Sequence, residues 1–116
     1  MLTLYGIPNC GTVKKAKKWL DDRDVPYEWV DFRKQPVSSE RVAAWVDSLG
    51  SRPLRNTSGG SYRALPDDRT SWDDDTWASK FAADPMLLKR PVIERDGVAI
   101  QAGFRGTDAE LESRLA

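Results

Sequence analysis

The stretch that decides the fold is Leu2-Thr3-Leu4-Tyr5-Gly6-Ile7-Pro8-Asn9-Cys10-Gly11-Thr12-Val13-Lys14-Lys15-Ala16. Leu2 to Tyr5 is a short β-prone run, and Gly6-Ile7-Pro8-Asn9 closes it with loop-forming residues. From Thr12 the pattern turns helical, with Val13, Ala16, Trp19 and Leu20 recurring at three- and four-residue spacing through Asp22. Thr12 either caps this helix or lies just inside it. Tyr27 to Phe32 alternates and is rich in aromatic and β-branched residues, which reads as a second strand. Strand, helix and strand with connections this short form a βαβ unit with parallel strands and a right-handed crossover. The reading places Cys10, the chain's only cysteine, at the mouth of the first helix.

Downstream, Ser38-Ser39-Glu40 reads as a helix start, with Val42, Trp45, Val46 and Leu49 on one face and Gly50 ending it. Residues 51 to 63 read as loop. Trp72, Thr76, Trp77 and Phe81 mark another helix within 71–83, opened by acidic residues and stopped by Asp84-Pro85. Pro91 to Arg95 and Val98 to Gln101 are two short strands joined by Asp96-Gly97, a type I′ hairpin signal. Thr107 to Leu115 is a closing helix. The order is β-α-β, a helical middle, then β-β-α. The expectation is one domain over 1–116, with a core of 1–34 and 88–116 and a helical insertion over 35–87. Trp19, Trp45, Trp72 and Trp77 fall at helical spacing and read as core.

Composition narrows the chemistry. With 116 residues, 40% hydrophobic and 31% charged, the chain supports one hydrophobic core. Lysine plus arginine balances aspartate plus glutamate at 18 each, which points to neither nucleic acid nor a membrane surface. No apolar run approaches the ~20 residues that span a bilayer, and the N-terminus lacks a secretory pattern. The expectation is a cytoplasmic monomer with no metal. There is one cysteine and no histidine, so no internal disulfide and no Cys-His or Ser-His-Asp hydrolase is possible within the chain.

A nucleophilic Cys10 therefore depends on helix geometry and cations. First-turn N–H groups and the helix dipole stabilise an anion there, and Lys14 and Lys15 add positive charge. These effects lower a thiol from its free value of ~8.5. A free cysteine is most often a small buried hydrophobe. Pro8 and Gly11 around Cys10 argue for exposure instead. Pro91 at the start of a strand has no ladder donor to lose, and an X-Pro bond is trans by default. Arg55, Arg63, Arg90 and Arg105 each carry a planar fork suited to an anion, and nothing local distinguishes them.

The opening stretch, Lys89-Arg90-Pro91, Leu54-Arg55-Asn56-Thr57 and Gly103-Phe104 before a closing helix together resemble the arsenate reductase (ArsC)/Spx family. The resemblance spans essentially the whole chain and is closest to the small bacterial YffB-like branch, with its Y-G-I-x-N-C-x-T-x-K-K-A pattern. It implies a thioredoxin-like α/β fold with the helical insertion, and a cis peptide bond at Pro91. In the reductases the cysteine of C-G-T attacks arsenate while three arginines hold the oxyanion. Cys10-Gly11-Thr12 matches that start and Arg90 matches one arginine. Asn56 stands at a second arginine position with Arg55 one place earlier, and Phe104 at the third with Arg105 one place later. A one-residue slip in a strand turns a side chain to the other face.

The resemblance therefore implies a thiol-disulfide oxidoreductase of the YffB-like kind, with glutathione or a glutaredoxin-like reductant as partner and no bound cofactor. It implies Cys10, Thr12 and Arg90 as catalytic residues, and Asn9, Gly11, Lys14, Asn56, Arg90 and Pro91 as the binding set. The rival is an Spx-like regulator that binds RNA polymerase, or a non-catalytic family member. The Spx switch is a C-x-x-C pair, and Val13 occupies its second position here.

Overall fold

The computed structural model describes residues 1–116. Its elements are β1 (Leu2–Gly6), α1 (Gly11–Asp22), β2 (Tyr27–Asp31), α2 (Ser39–Leu49), α3 (Ser51–Leu54), α4 (Gly60–Arg63), α5 (Asp74–Ala83), β3 (Val92–Arg95), β4 (Val98–Ala102) and α6 (Asp108–Leu115). Two 3₁₀ turns, Asp67–Ser71 and Pro85–Leu87, flank α5. The sheet order is β2-β1-β3-β4. β1 and β2 are parallel, as a βαβ unit requires, and β3 pairs antiparallel with both β1 and β4. This is the α/β element order that the sequence predicts, and it fits the thioredoxin-like architecture that the family resemblance implies.

Strand alternation sorts the core into two halves. Leu2, Leu4 and Ile93 face Ala16, Trp19 and Leu20 of α1 and Leu111 and Leu115 of α6. Tyr5, Val92 and Ala99 face the opposite side, packed with Val42, Trp45 and Val46 of α2 and Trp77 and Phe81 of α5. Period-two strands carry one set of apolar residues to each face. Gly6 ends β1 where a Cβ would lie 2.9 Å from Val13 Cγ2, so glycine lets α1 pack close to the strand it follows.

The helix starts follow their chemistry. Ser38 Oγ accepts from Arg41 N at 3.2 Å, Asp73 Oδ1 from Thr76 N at 2.8 Å, and Thr107 with Glu110 forms a capping box. Asp96 and Gly97 have φ of 51° and 85°, the left-handed pair that the hairpin signal predicts. Three readings need correction. Residues 51–63 contain two single helical turns rather than a continuous loop, and the helix expected from residue 71 begins at Asp74 after a 3₁₀ turn. Trp72 is only half-buried, set edge-on to the fully buried Trp77 at 5.1 Å.

Charge enters the second core half at one place. Glu94, 2% exposed, accepts from Tyr5 Oη (3.1 Å), from Arg41 Nη1 (2.7 Å to each oxygen) and from Trp45 Nε1 (2.7 Å). Every donor facing this carboxylate is engaged, which is how a buried charge is tolerated.

Candidate functional site

The loop Ile7-Pro8-Asn9-Cys10 delivers the cysteine to the first turn of α1. Cys10 is the helix N-cap, with extended backbone (φ −105°, ψ 124°) and a carbonyl that accepts from Lys14 N at 3.0 Å. Thr12 lies just inside the helix. The sulfur is half-buried and faced by the N–H groups of Thr12 and Val13 and by the Arg90 guanidinium. Partial burial opposes ionisation, but these donors and the arginine outweigh it and hold the thiol below its ordinary value.

Arg90 arrives from the far side of the chain. The Arg90–Pro91 peptide is cis, as the family resemblance implies and against the default for the bond. Asn56 N donates to Leu87 O at 2.9 Å and Lys89 N to Leu54 O at 2.7 Å, around an isolated bridge of Arg55 with Leu88. These bonds bring the 54–56 segment of the insertion alongside the residues that lead into β3. Gly103 N donates to Pro91 O at 2.8 Å, which draws the turn after β4 to the same place.

The result is a cavity of about 450 Å³. Cys10 and Thr12 line it from α1, Asn56, Ser58 and Gly59 from the insertion, Lys89 and Arg90 from the lead into β3, and Phe104 and Arg105 from the turn after β4. Of the expected residues the structure brings together Cys10, Thr12, Asn56 and Arg90. Asn9, Gly11 and Lys14 are exposed beside the cavity without lining it, and Pro91 is buried behind it. Lys89, Ser58, Gly59 and Phe104 were not among the expected site residues. Arg63 supports the insertion wall, donating from Nη1 to Ser58 O at 2.6 Å.

The two displaced arginines part ways. Arg55 is turned from the site, its guanidinium 4.3 Å over the Trp77 ring and Nη2 on Ser51 Oγ at 2.7 Å. Arg105 does reach the cavity beside Phe104. The slip argument fails there because β4 ends at Ala102 and the chain turns through Gly103 (φ 78°) and Gly106 (φ 125°). Strand alternation does not govern side chains in a turn.

Comparison with known proteins bears on the family and the overall fold. The ArsC family model matches residues 5–110. A solved structure of a protein named YFFB superposes with a TM-score of 0.87 at 30% identity, covering 100% of both chains. A possible arsenate reductase from Streptococcus mutans UA159 gives a TM-score of 0.83 at 36% identity, covering 97% of this chain and 98% of that one. The global transcriptional regulator Spx of Listeria innocua is 27% identical over 106 residues, which is 90% of this chain and 80% of its own length. No helix is long and apolar enough to cross a membrane.

Proposed function

The chain belongs to the ArsC family, and from that premise we propose that it is a thiol-disulfide reductase with Cys10 as its one redox group and glutathione as its co-substrate. The observation that carries this reading is a half-buried thiol, its pKa held below the ordinary value, in a cavity lined by three cations and no carboxylate.

The chemistry balances with a single cysteine. The Cys10 thiolate attacks the glutathione sulfur of a mixed disulfide R–S–S–G. That S–S bond breaks, a Cys10–S–S–G bond forms, and RS⁻ leaves with the electron pair and takes a proton from solvent. A second glutathione thiolate attacks the glutathione sulfur of the enzyme adduct, forming oxidised glutathione and releasing Cys10 as thiolate. The net exchange converts R–S–S–G and one glutathione thiol into RSH and oxidised glutathione, with Cys10 regenerated. The helix N–H groups and Arg90 favour the thiolate form of Cys10, which serves it both as nucleophile and as leaving group.

Arsenate reduction is the weaker reading, because Asn56 replaces one guanidinium and Arg55 faces Trp77. A cysteine-pair redox switch is unavailable within the chain, since Val13 stands at the second position of the pair and Cys10 is the one cysteine.

The test is the pH dependence of Cys10 alkylation by iodoacetamide, together with intact mass after exposure to oxidised glutathione. A midpoint below ~8.5 with one glutathione bound, then removed by excess reduced glutathione, is expected. A midpoint at the free-thiol value with no adduct overturns the proposal.

A further inference from the structure

Lys89 and Arg105 carry positive charge into the cavity in a different state from Arg90. Arg90 is tied down: Nη1 lies 3.3 Å from Leu88 O and 3.4 Å from Met86 O, and Nε is enclosed without a partner. Its guanidinium faces the Cys10 sulfur. Lys89 and Arg105 take part in none of the chain's ion pairs, whose cations are the N-terminus, Lys18, Arg23, Arg33, Arg41 and Arg114.

The path of the Lys89 side chain is built into the fold. Its methylenes run along Gly103, where a Cβ would lie 3.1 Å from Lys89 Cε, 3.4 Å from Cγ and 3.5 Å from Cδ. Gly103 thus leaves room for the Lys89 stem, and its left-handed φ of 78° opens the turn that contains Arg105, which lines the cavity with Lys89. One glycine accommodates both cations.

Resting on the exchange chemistry above, we propose a division of labour. Arg90 serves the Cys10 sulfur, whereas Lys89 and Arg105 read the charge of the incoming disulfide, so the site selects disulfides that carry carboxylates near the S–S bond. With Cys10 ionised, the three cations leave the cavity mouth with two uncompensated positive charges and no lining carboxylate. A charge of one sign in a concave site raises the encounter rate of oppositely charged partners, and salt weakens the effect.

Three small disulfides test this: 3,3′-dithiodipropionate (anionic), 2-hydroxyethyl disulfide (neutral) and cystamine (cationic). The rate of Cys10 mixed-disulfide formation with each is divided by the rate for free 2-mercaptoethanol at the same pH, which removes their intrinsic reactivities. At low salt the expected order is anionic over neutral over cationic, with roughly tenfold or more between the extremes. In Lys89→Met/Arg105→Gln the order collapses, the anionic rate falling toward the neutral one. General structural damage would slow all three alike and leave the order in place.

Equal rates with all three probes, or an order that survives in the double variant, overturn the proposal while leaving the exchange reading intact. A Cys10 inert to all three overturns the exchange reading and this proposal with it.

Discussion

Glu94 and Cys10 each gather cationic or N–H donors around one acidic group, and the two clusters are finished differently. Around Glu94 the donors match the acceptors: Tyr5, Arg41 and Trp45 all close on one buried carboxylate. Around Cys10 three cations face a single thiol, and Lys89 and Arg105 take part in none of the chain's ion pairs. A saturated polar cluster has no capacity left for a ligand and acts as structure. An unsaturated one beside a nucleophile keeps its strongest interactions for something that arrives from solvent. The contrast separates the charged residues that hold this protein together from those that act.

Removing Glu94 should have the largest effect. Glu94→Leu strands Tyr5 Oη and Trp45 Nε1 as donors in the core, while Arg41, with a side chain 44% exposed, can turn to water. A buried donor left without its acceptor costs about 1–3 kcal/mol. Two such donors, offset in part by the better burial of leucine, place the loss at about 3 kcal/mol, roughly a hundredfold in the unfolding equilibrium. Urea unfolding measures it. Glu94→Gln keeps an acceptor for Trp45 and should lose less. A Glu94→Leu protein as stable as the wild type would mean that the cluster does not hold the core.

At the other cluster Arg90→Met should act on ionisation more than on stability. Without the guanidinium the Cys10 midpoint rises toward the free-thiol value of ~8.5, and alkylation at pH 7 slows. Arg90→Lys keeps a charge and should retain part of the effect. The sign follows from linkage. A thiol held low in the folded state adds stability that is complete above about pH 8.5 and fades as pH falls through the depressed value. Wild type and Arg90→Met should therefore differ in that contribution more at pH 9 than at pH 6. An unchanged Cys10 midpoint in Arg90→Met would leave the helix N–H groups as its sole activators.

How much of this was legible in the sequence depends on how far each feature reaches along the chain. The βαβ start, the Asp96-Gly97 hairpin and the helix caps are set within a few residues, and period and turn chemistry expose them. Cys10 at the helix mouth belongs to the same class. The rest of the cavity does not. Asn56 and Lys89 meet through backbone bonds that link residues 54–56 with 87–89, and no local pattern announces such a pairing. Arg55 and Arg105 show the limit of alternation. Both are displaced by one place, yet Arg55 sits at a bridge and turns away while Arg105 sits in a turn and reaches the site. Glu94 reads in sequence as a strand residue of either face, and only the position of Arg41 and Trp45 on α2 makes its burial tolerable.

The mildest change returns to the saturated cluster. Tyr5→Phe deletes one donor of the Glu94 set and leaves Arg41 and Trp45 in place, so the loss should be about 1 kcal/mol, the usual net worth of one hydrogen bond. Its pH dependence is the sharper readout. Burial, and then the neighbouring Glu94 carboxylate, push the Tyr5 hydroxyl up to about 12, against 10 for a free tyrosine. The folded state therefore favours the protonated phenol. That contribution is complete below about pH 10 and disappears as pH rises through about 12. The stability gap between wild type and Tyr5→Phe should stay constant from pH 6 to about pH 10 and narrow above it. Phenolate absorbance should show, among the three tyrosines, a late-ionising one in the wild type that is missing from the variant. A gap that closes already near neutral pH would mean that the Tyr5 hydroxyl does not face the carboxylate, and the saturation that distinguishes this cluster from the Cys10 cavity would be lost.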